Sequence, residues 1–367
     1  MRYFIKEDDI EQELIDVCMN ELHYDHHFDC MNIDHLHRKN EVEVLNLDVL
    51  RQAIRSVNNE ATDRPQGMTD AEVEQAIDAI RASDLNVDGH ILNQRILTTI
   101  ISGCRMQVLQ SNGHKELRTV HYIDWKEGNA DNNQFDVINQ LWIQGQVYRL
   151  RPDVIVYING IPLVTIELKD SNIPVREAYD NNLTRYKAAI PQIMAYNAFL
   201  VASNATKTRL GSTFADWTYF SPWFRASEDE KADKEQLEAD KTTLDAMARS
   251  LLKKENLLNY IANYILFYKG TNKICAKNHQ FLGVNRAVER FRYLQFGKPK
   301  ADEQGKMGVF WHTQGSGKSF SMVFLARYLK NRFQGNYTFL VITDREDLDD
   351  QIYRNFLHSG FMSEQED

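Results

Sequence analysis

Over residues 7–22 the apolar side chains Ile10, Leu14, Val17, Cys18 and Leu22 recur every three or four positions, which predicts an amphipathic helix. A second helix is predicted over 69–82, "TDAEVEQAIDAIRA", where Thr69 and Glu72 have the spacing of a capping box. From about 119 to 169 the period falls to two in "TVHYIDW", "QFDVINQLWI", "QVYRLRPDVIVYI" and "IPLVTIELK", so a sheet is expected there. Helical spacing returns in "VREAYDNNLTRYKAAI" and is followed by an apolar strand, "AFLVAS". The stretch from Ala226, "ASEDEKADKEQLEADKTTLDAMARSLLKKENLLNYIANYILF", begins as a charged arm and ends amphipathic, which puts a domain boundary near 225–260. The last hundred residues read strand, glycine-rich loop, helix, strand, helix: "MGVFW", "HTQGSGKS", "FSMVFLARYLKNRF", "YTFLVITD", "LDDQIYRNFL". That order is the opening βαβ unit of a parallel sheet.

A chain of 367 residues with 43% hydrophobic side chains suits two or three packed domains. No apolar run reaches the roughly 20 residues of a membrane span, and the N-terminus lacks a signal peptide, so the expected location is the cytoplasm. Cys18, Cys30, Cys104 and Cys275 show no paired spacing and read as reduced thiols. His23, His26, His27, Cys30, His35 and His37 crowd together but lack finger spacing, so a loop of histidines is preferred to zinc. The net charge of −9 excludes a uniformly basic surface and leaves local patches, such as Arg185, Lys187, Lys207 and Arg209, for any nucleic-acid contact.

Gly315, Ser316, Gly317, Lys318 and Ser319 lie between an apolar strand and an apolar helix, the context of a phosphate-binding loop. Backbone N–H groups there can turn onto phosphate oxygens, Lys318 can neutralise β/γ charge and the Ser319 hydroxyl can ligate Mg²⁺, so ATP binding is expected. The loop departs from the general pattern at His312, where a glycine would stand. The second strand ends at Asp344-Arg345, and no later strand ending in a carboxylate pair follows. An ATPase needs such acids to hold Mg²⁺ and orient water, so the motor is expected to be incomplete.

"RPDVIVYINGIPLVTIELKD", residues 151–170, reads as a hairpin turning at Asn159-Gly160, yet it carries Asp153, Glu167 and Lys169. Strand alternation puts Thr165, Glu167 and Lys169 on one face. If Asp153 joins them, two carboxylates can hold a divalent metal while the lysine orients water and offsets phosphorane charge. A strict two-residue turn would turn Asp153 away from Glu167. A three-residue turn with a bulge around Gly160, or equivalent twisting, brings them together and is predicted. The other reading, charges that merely mark strand ends at a solvent edge, stays open on spacing alone.

This hairpin resembles the nuclease core of type I restriction enzyme motor subunits, and "FWHTQGSGKSFSMVFLAR" with "VITDREDLDDQ" resembles the first two helicase motifs of the same subunit. "KNHQFLGVNRAVE" upstream of the loop fits too, and His312 is in register with that family's own loop. The resemblance covers about 130–357, and Glu11 in "IEQEL" extends it weakly to the N-terminus. It implies an α/β restriction-endonuclease-like domain of the PD-(D/E)xK type with a helical linker at its end, 1–255. A partial RecA-like P-loop domain of helicase superfamily 2 would follow, 256–367. By resemblance Asp153 and Glu167 bind catalytic Mg²⁺, Lys169 completes the nuclease site and Glu11 is a carboxylate helper. Asn182 and Tyr186 stand in for the family's Q-x-x-x-Y element, ahead of Gln192 and Tyr196, and Gln280 matches its adenine-reading glutamine.

The implied activity is ATP-dependent cleavage of double-stranded DNA coupled to translocation, with methyltransferase and specificity subunits as partners and no membrane. Such subunits continue further, so the chain is read as an N-terminal fragment that does not translocate alone. The rival is a nucleotide-gated DNA-binding or assembly module without nuclease activity. A small-molecule P-loop kinase is weakened by the absence of a substrate motif.

Overall fold

The computed structural model describes residues 4–36, 38–82, 85–227, 242–333 and 335–362, and the chain is mixed α/β. Helix α1 (Glu7–Asp16) runs directly into a π-helical turn, Val17–Glu21, so the predicted stripe survives, with Ile10, Leu14, Val17, Cys18 and Leu22 buried. Strand β1 (His26–Asp29) precedes three helices, α2 (Leu47–Val57), α3 (Asp70–Ile80) and α4 (Gly89–Ser102). Thr69 and Glu72 form the expected capping box on α3. Next come the hairpin β2 (Cys104–Leu109) and β3 (Lys115–Val120), then β4 (Phe135–Asn139), a short hairpin β5 (Ile143–Gln144) and β6 (Arg149–Leu150), and the strands β7 (Val154–Ile158) and β8 (Ile161–Leu168). A π-helical segment, Ala178–Leu183, leads into α5 (Thr184–Ala189) and α6 (Pro191–Met194), followed by β9 (Phe199–Ser203), β10 (Thr208–Gly211) and β11 (Ser221–Pro222).

Among the described residues the central sheet has seven strands in the order β1-β4-β7-β8-β9-β10-β11. The β1–β4 and β8–β9 pairs are parallel and the others antiparallel. Every residue of β7 and β8 is buried, on both faces of the sheet, which is why both read as unbroken apolar runs. Each fully buried valine or isoleucine contributes about 1.5–3 kcal/mol. Burying Asp153 and Glu167 in the same place works against that gain, and ionised groups sit in such surroundings only when paired or metal-bound.

Downstream lie α7 (Thr243–Leu251), α8 (Lys254–Asn263), the hairpin β12 (Ile265–Tyr268) and β13 (Asn272–Cys275), α9 (Asn278–Phe296), α10 (Lys318–Arg332) and α11 (Glu346–His358). Within the predicted charged arm, residues 228–241 lie outside the described residues, as does His37. The strands predicted at "MGVFW" and "YTFLVITD" are a correction: among the described residues neither joins a ladder. Val309, Trp311, Leu340 and Ile342 are 94%, 77%, 83% and 84% exposed. Apolar alternation expresses a tendency to pair, but a strand exists only where a neighbour accepts its N–H groups. No described helix is long and apolar enough to cross a membrane.

Candidate active site

The hairpin solves the register problem differently from the prediction. Ile158 pairs with Ile161 across a two-residue turn, with φ of 52° at Asn159 and 79° at Gly160, both positive as this tight turn requires. A Cβ at Gly160 would also lie 2.4 Å from the Asn46 carbonyl oxygen at the start of α2, so glycine is needed there twice over. The turn alone would send Asp153 and Glu167 to opposite faces. The bulge comes later: Tyr157 pairs with Pro162 but Val156 with Val164, so Leu163 is the extra residue. Continuing that shifted register sets Asp153 across from Glu167, and the Leu168 N–H donates to Asp153 Oδ2 over 2.8 Å.

Glu167 is wholly buried and Asp153 nearly so. Lys169 Nζ stands 3.3 Å from Glu167 Oε1 and 3.4 Å from Glu7 Oε2, and it donates to the Leu168 carbonyl. The other oxygen of Glu167 accepts the Tyr186 hydroxyl proton over 2.9 Å, and Asn182, one helical turn earlier, lies close enough to that tyrosine to favour its ionised form. Glu11 accepts from Asn139 Nδ2 and Gln140 Nε2, both over 2.5 Å. Gln140 Nε2 also lies 3.5 Å from Asp153 Oδ1, so Glu11 borders the site through an amide. The structure thus brings together Asp153, Glu167, Lys169, Tyr186 and Asn182, with Glu11 one residue removed. Gln192 and Tyr196 point elsewhere, to the Gln144 carbonyl and the Ala82 N–H.

Burial pushes the Glu167 carboxyl well above its ordinary range, and the Asp153 charge pushes it further, against the pull of Lys169 and Tyr186. Asp153 is raised first by burial, opposed by the Leu168 N–H and Lys169. Lys169 loses basicity to burial but gains more from Glu167, Asp153 and Glu7, so it stays a cation. One ammonium therefore serves several carboxylates. The oxygens it faces, Glu167 Oε1 and the Leu168 carbonyl, with Asp153 alongside, are all hard donors and fit a small divalent cation. Among the described residues no group of three or more His, Cys, Asp or Glu side chains has metal-holding geometry, so the carbonyl and water would complete such a shell.

Sequence reasoning missed Glu7. An acid in the first turn of a helix is the ordinary complement of the helix dipole, and nothing local distinguishes this one. Its proximity to Lys169 arises because Asp170 Oδ1 accepts the Glu7 N–H over 2.7 Å, which ties the start of α1 to the end of β8. Two of the predicted basic contacts are tied into the fold: Lys187 donates to the Ala215 carbonyl, with burial pushing it down to about 8, and Arg209 donates to the Phe220 carbonyl.

In the glycine-rich loop before α10, Gly315 and Gly317 have φ of 77° and 92°, and Gly317 caps the helix. Lys318 Nζ folds back to donate to the His312 and Thr313 carbonyls over 2.7 and 3.1 Å. His312 packs edge-on against His279 and Phe310, occupying the place where a glycine was expected. Gln280 is buried; its Nε2 donates to the Gly317 carbonyl and its Oε1 accepts the Lys277 N–H, each over 2.9 Å. Its amide braces the loop.

A buried carboxylate pair beside a lysine thus lies upstream of a glycine-rich loop that opens α10. Residues 4–219 match the type I restriction enzyme R protein N terminus family, and the chain belongs to it. Residues 279–367 match the SWI2/SNF2 ATPase family. The chain is 34% identical over 324 residues to the type I restriction enzyme HindI endonuclease subunit of Haemophilus influenzae, 85% of this chain and 29% of that protein. It is also 34% identical over 304 residues to the putative type I restriction enzyme MjaIXP endonuclease subunit of Methanocaldococcus jannaschii, 77% of this chain and 28% of that protein. The chain therefore spans under a third of the length of these relatives.

Proposed function

We propose that the chain is the nuclease and nucleotide-binding part of an ATP-dependent type I restriction endonuclease subunit that cuts phosphodiester bonds of double-stranded DNA. The observation that carries this reading is the convergence of Asp153, Glu167 and Lys169 at the strand ends beyond the Leu163 bulge. Residues 1–255 act as a PD-(D/E)xK nuclease domain and 256–367 as the start of a RecA-like ATPase domain. Methyltransferase and specificity subunits supply DNA recognition, ATP-driven translocation brings distant DNA to the site, and the complex works in the cytoplasm.

In this mechanism Asp153 and Glu167 would hold Mg²⁺, which when bound would polarise a phosphoryl oxygen and lower the pKa of its water. Lys169 orients the attacking water and stabilises charge on the phosphorane. Tyr186 holds the outer oxygen of Glu167, which leaves Oε1 for the cation side of the site. Glu11 acts through Gln140 on Asp153. At the loop, the N–H groups of 315–319 and Lys318 would receive ATP phosphates and Ser319 would ligate the nucleotide's Mg²⁺, while Gln280 braces Gly317. The nucleotide-gated module without nuclease activity is not favoured, since it gives no reason to bury two carboxylates beside a lysine.

The test uses the subunit assembled with its partner subunits on unmodified plasmid DNA. Lys169→Ala should abolish cutting and leave DNA-stimulated ATP hydrolysis, whereas Lys318→Ala should abolish both. Cutting that survives Lys169→Ala would refute the assignment.

A further inference from the structure

We propose that the β5–β6 hairpin and the arginines beside it form a DNA-backbone clamp for the cleavage site. The inference rests on the nuclease reading above and names the surface by which that site holds its substrate. The hairpin leaves the chain between β4 and β7 and returns at Leu150, just before Asp153. Its base is rigid. Gln144 N–H donates to the Glu41 carbonyl over 2.9 Å, Gln192 Nε2 donates to the Gln144 carbonyl over 2.8 Å, and Gly145 N–H closes the turn onto the Tyr148 carbonyl over 2.8 Å. A Cβ at Gly145 would lie 1.8 Å from the Ala189 carbonyl oxygen, so glycine lets the hairpin lie directly on the end of α5.

The tip is bare by contrast: Val147 is 77% exposed and Tyr148 54%. An anchored loop holds these two side chains in place at little entropic cost to a ligand that covers them. Cations surround it. The Arg185 guanidinium lies 5.3 Å over the Tyr148 ring, and those of Arg149 and Arg151 lie 4.0 and 5.1 Å from the Trp142 ring. Arg149 is neutralised by a two-pronged pair with Glu41, 2.6 Å at each prong. Among the described residues Arg151 and Arg185 make ring contacts but no ion pair.

The backbone that carries these two arginines is tied to Glu167 through one side chain. Tyr186, next to Arg185 on α5, places its hydroxyl 3.3 Å from the Arg151 carbonyl and 2.9 Å from Glu167 Oε2. Two arginines with no ion pair and a stacking-competent ring are thus carried on the backbone segments that lead into the candidate carboxylates. The occupant that matches is a polyanion with planar bases or sugar faces, and the chain's own net charge of −9 disfavours a second copy of itself. Duplex DNA meets both requirements: its phosphates would meet Arg151 and Arg185 while Tyr148 and Val147 lie against the groove wall.

The experiment is fluorescence anisotropy with a labelled duplex of about 30 base pairs, in EDTA and over a range of salt, using the 367-residue chain. If two phosphates are contacted, the Arg151→Ala, Arg185→Ala double variant should lower the log–log salt slope by about 2 and weaken binding roughly tenfold or more at moderate salt. Tyr148→Ala should weaken binding roughly fivefold to tenfold with the slope unchanged, and Tyr148→Phe should restore it. Tyr148 and Arg185 are exposed and Arg151 is half-buried, and unchanged thermal unfolding of each variant excludes misfolding. Wild-type affinity and slope in every variant, or no DNA binding by the parent chain, would overturn the clamp and make the tip a candidate surface for another subunit. Mn²⁺ calorimetry on the same proteins separates the two ideas. Metal binding with no DNA dependence on the hairpin leaves the nuclease reading standing without the clamp. DNA loss in the variants with no metal binding by the parent chain leaves the clamp without the nuclease.

Discussion

Tyr186 on α5 donates its hydroxyl to Glu167 Oε2 on β8 over 2.9 Å, while Lys169 Nζ approaches Glu167 Oε1 at 3.3 Å. Each oxygen of a fully buried carboxylate thus has its own donor, one neutral and permanent, the other a cation that a metal or phosphate can displace. In the proposed mechanism Oε1 is the oxygen left for the cation and Oε2 is held by the tyrosine.

Tyr186→Phe keeps the ring and removes the donor. Leaving Oε2 unsatisfied should cost about 1–3 kcal/mol of stability, measured by urea unfolding, because a buried acceptor without a partner carries its full desolvation cost. Cutting by the assembled complex should fall while ATP hydrolysis holds; equal loss of both would mean that the change acts globally.

Glu7→Gln tests the residue that pattern reading overlooked. Removing its charge leaves Lys169 with fewer carboxylates to hold it as a cation, so the rate of cutting should fall several-fold with the KM for DNA unchanged, and Glu7→Asp should recover part of it. A variant that cuts at the parent rate would make Glu7 a simple helix-start acid.

Asp136, on β4 opposite His26, offers a pH test away from the metal site. Burial pushes its carboxyl up to about 6, opposed by hydrogen bonds from Gln134. A folded-state pKa above the unfolded value means that the native state binds the extra proton, so stability falls as pH rises between about 4 and 6 and stays low above. Asp136→Asn should therefore match the parent near pH 4 and exceed it by about 1–3 kcal/mol at pH 8 in chemical denaturation. A parent that is the more stable at pH 8 would contradict this account.

Gln280→Glu distinguishes two roles for one amide. A carboxylate cannot donate to the Gly317 carbonyl, so the loop should lose its brace and affinity for ATP and GTP should fall in parallel. A fall confined to ATP, seen in titrations with labelled nucleotides, would restore the adenine-reading role that family resemblance implies.

Much of this was legible in local pattern, and the exceptions share a cause. The capping box at Thr69 and Glu72 and the apolar runs of β7 and β8 are local signals and appear where expected. The bulge was anticipated at Gly160 and lies at Leu163, because both faces of β8 are buried and no alternation marks where the register slips. The strands at 307–311 and 337–344 depend on neighbours that hydrophobic pattern cannot supply. Glu7 comes close to Lys169 through a contact 162 positions distant in sequence, which no spacing rule reaches. By contrast, Tyr186 carried a signal, the four-residue offset from Asn182 that resemblance picked out.

The central claim is that Asp153 and Glu167 form one metal site beside Lys169, and calorimetric titration of Mn²⁺ into the chain tests it directly. Binding should be lost in Asp153→Ala and in Glu167→Gln, and in the parent it should strengthen as pH rises, with proton release, since burial holds both carboxyls above their ordinary range. Parent-like titrations in both variants would show that the two carboxylates do not share a metal, and the nuclease assignment would fall with them.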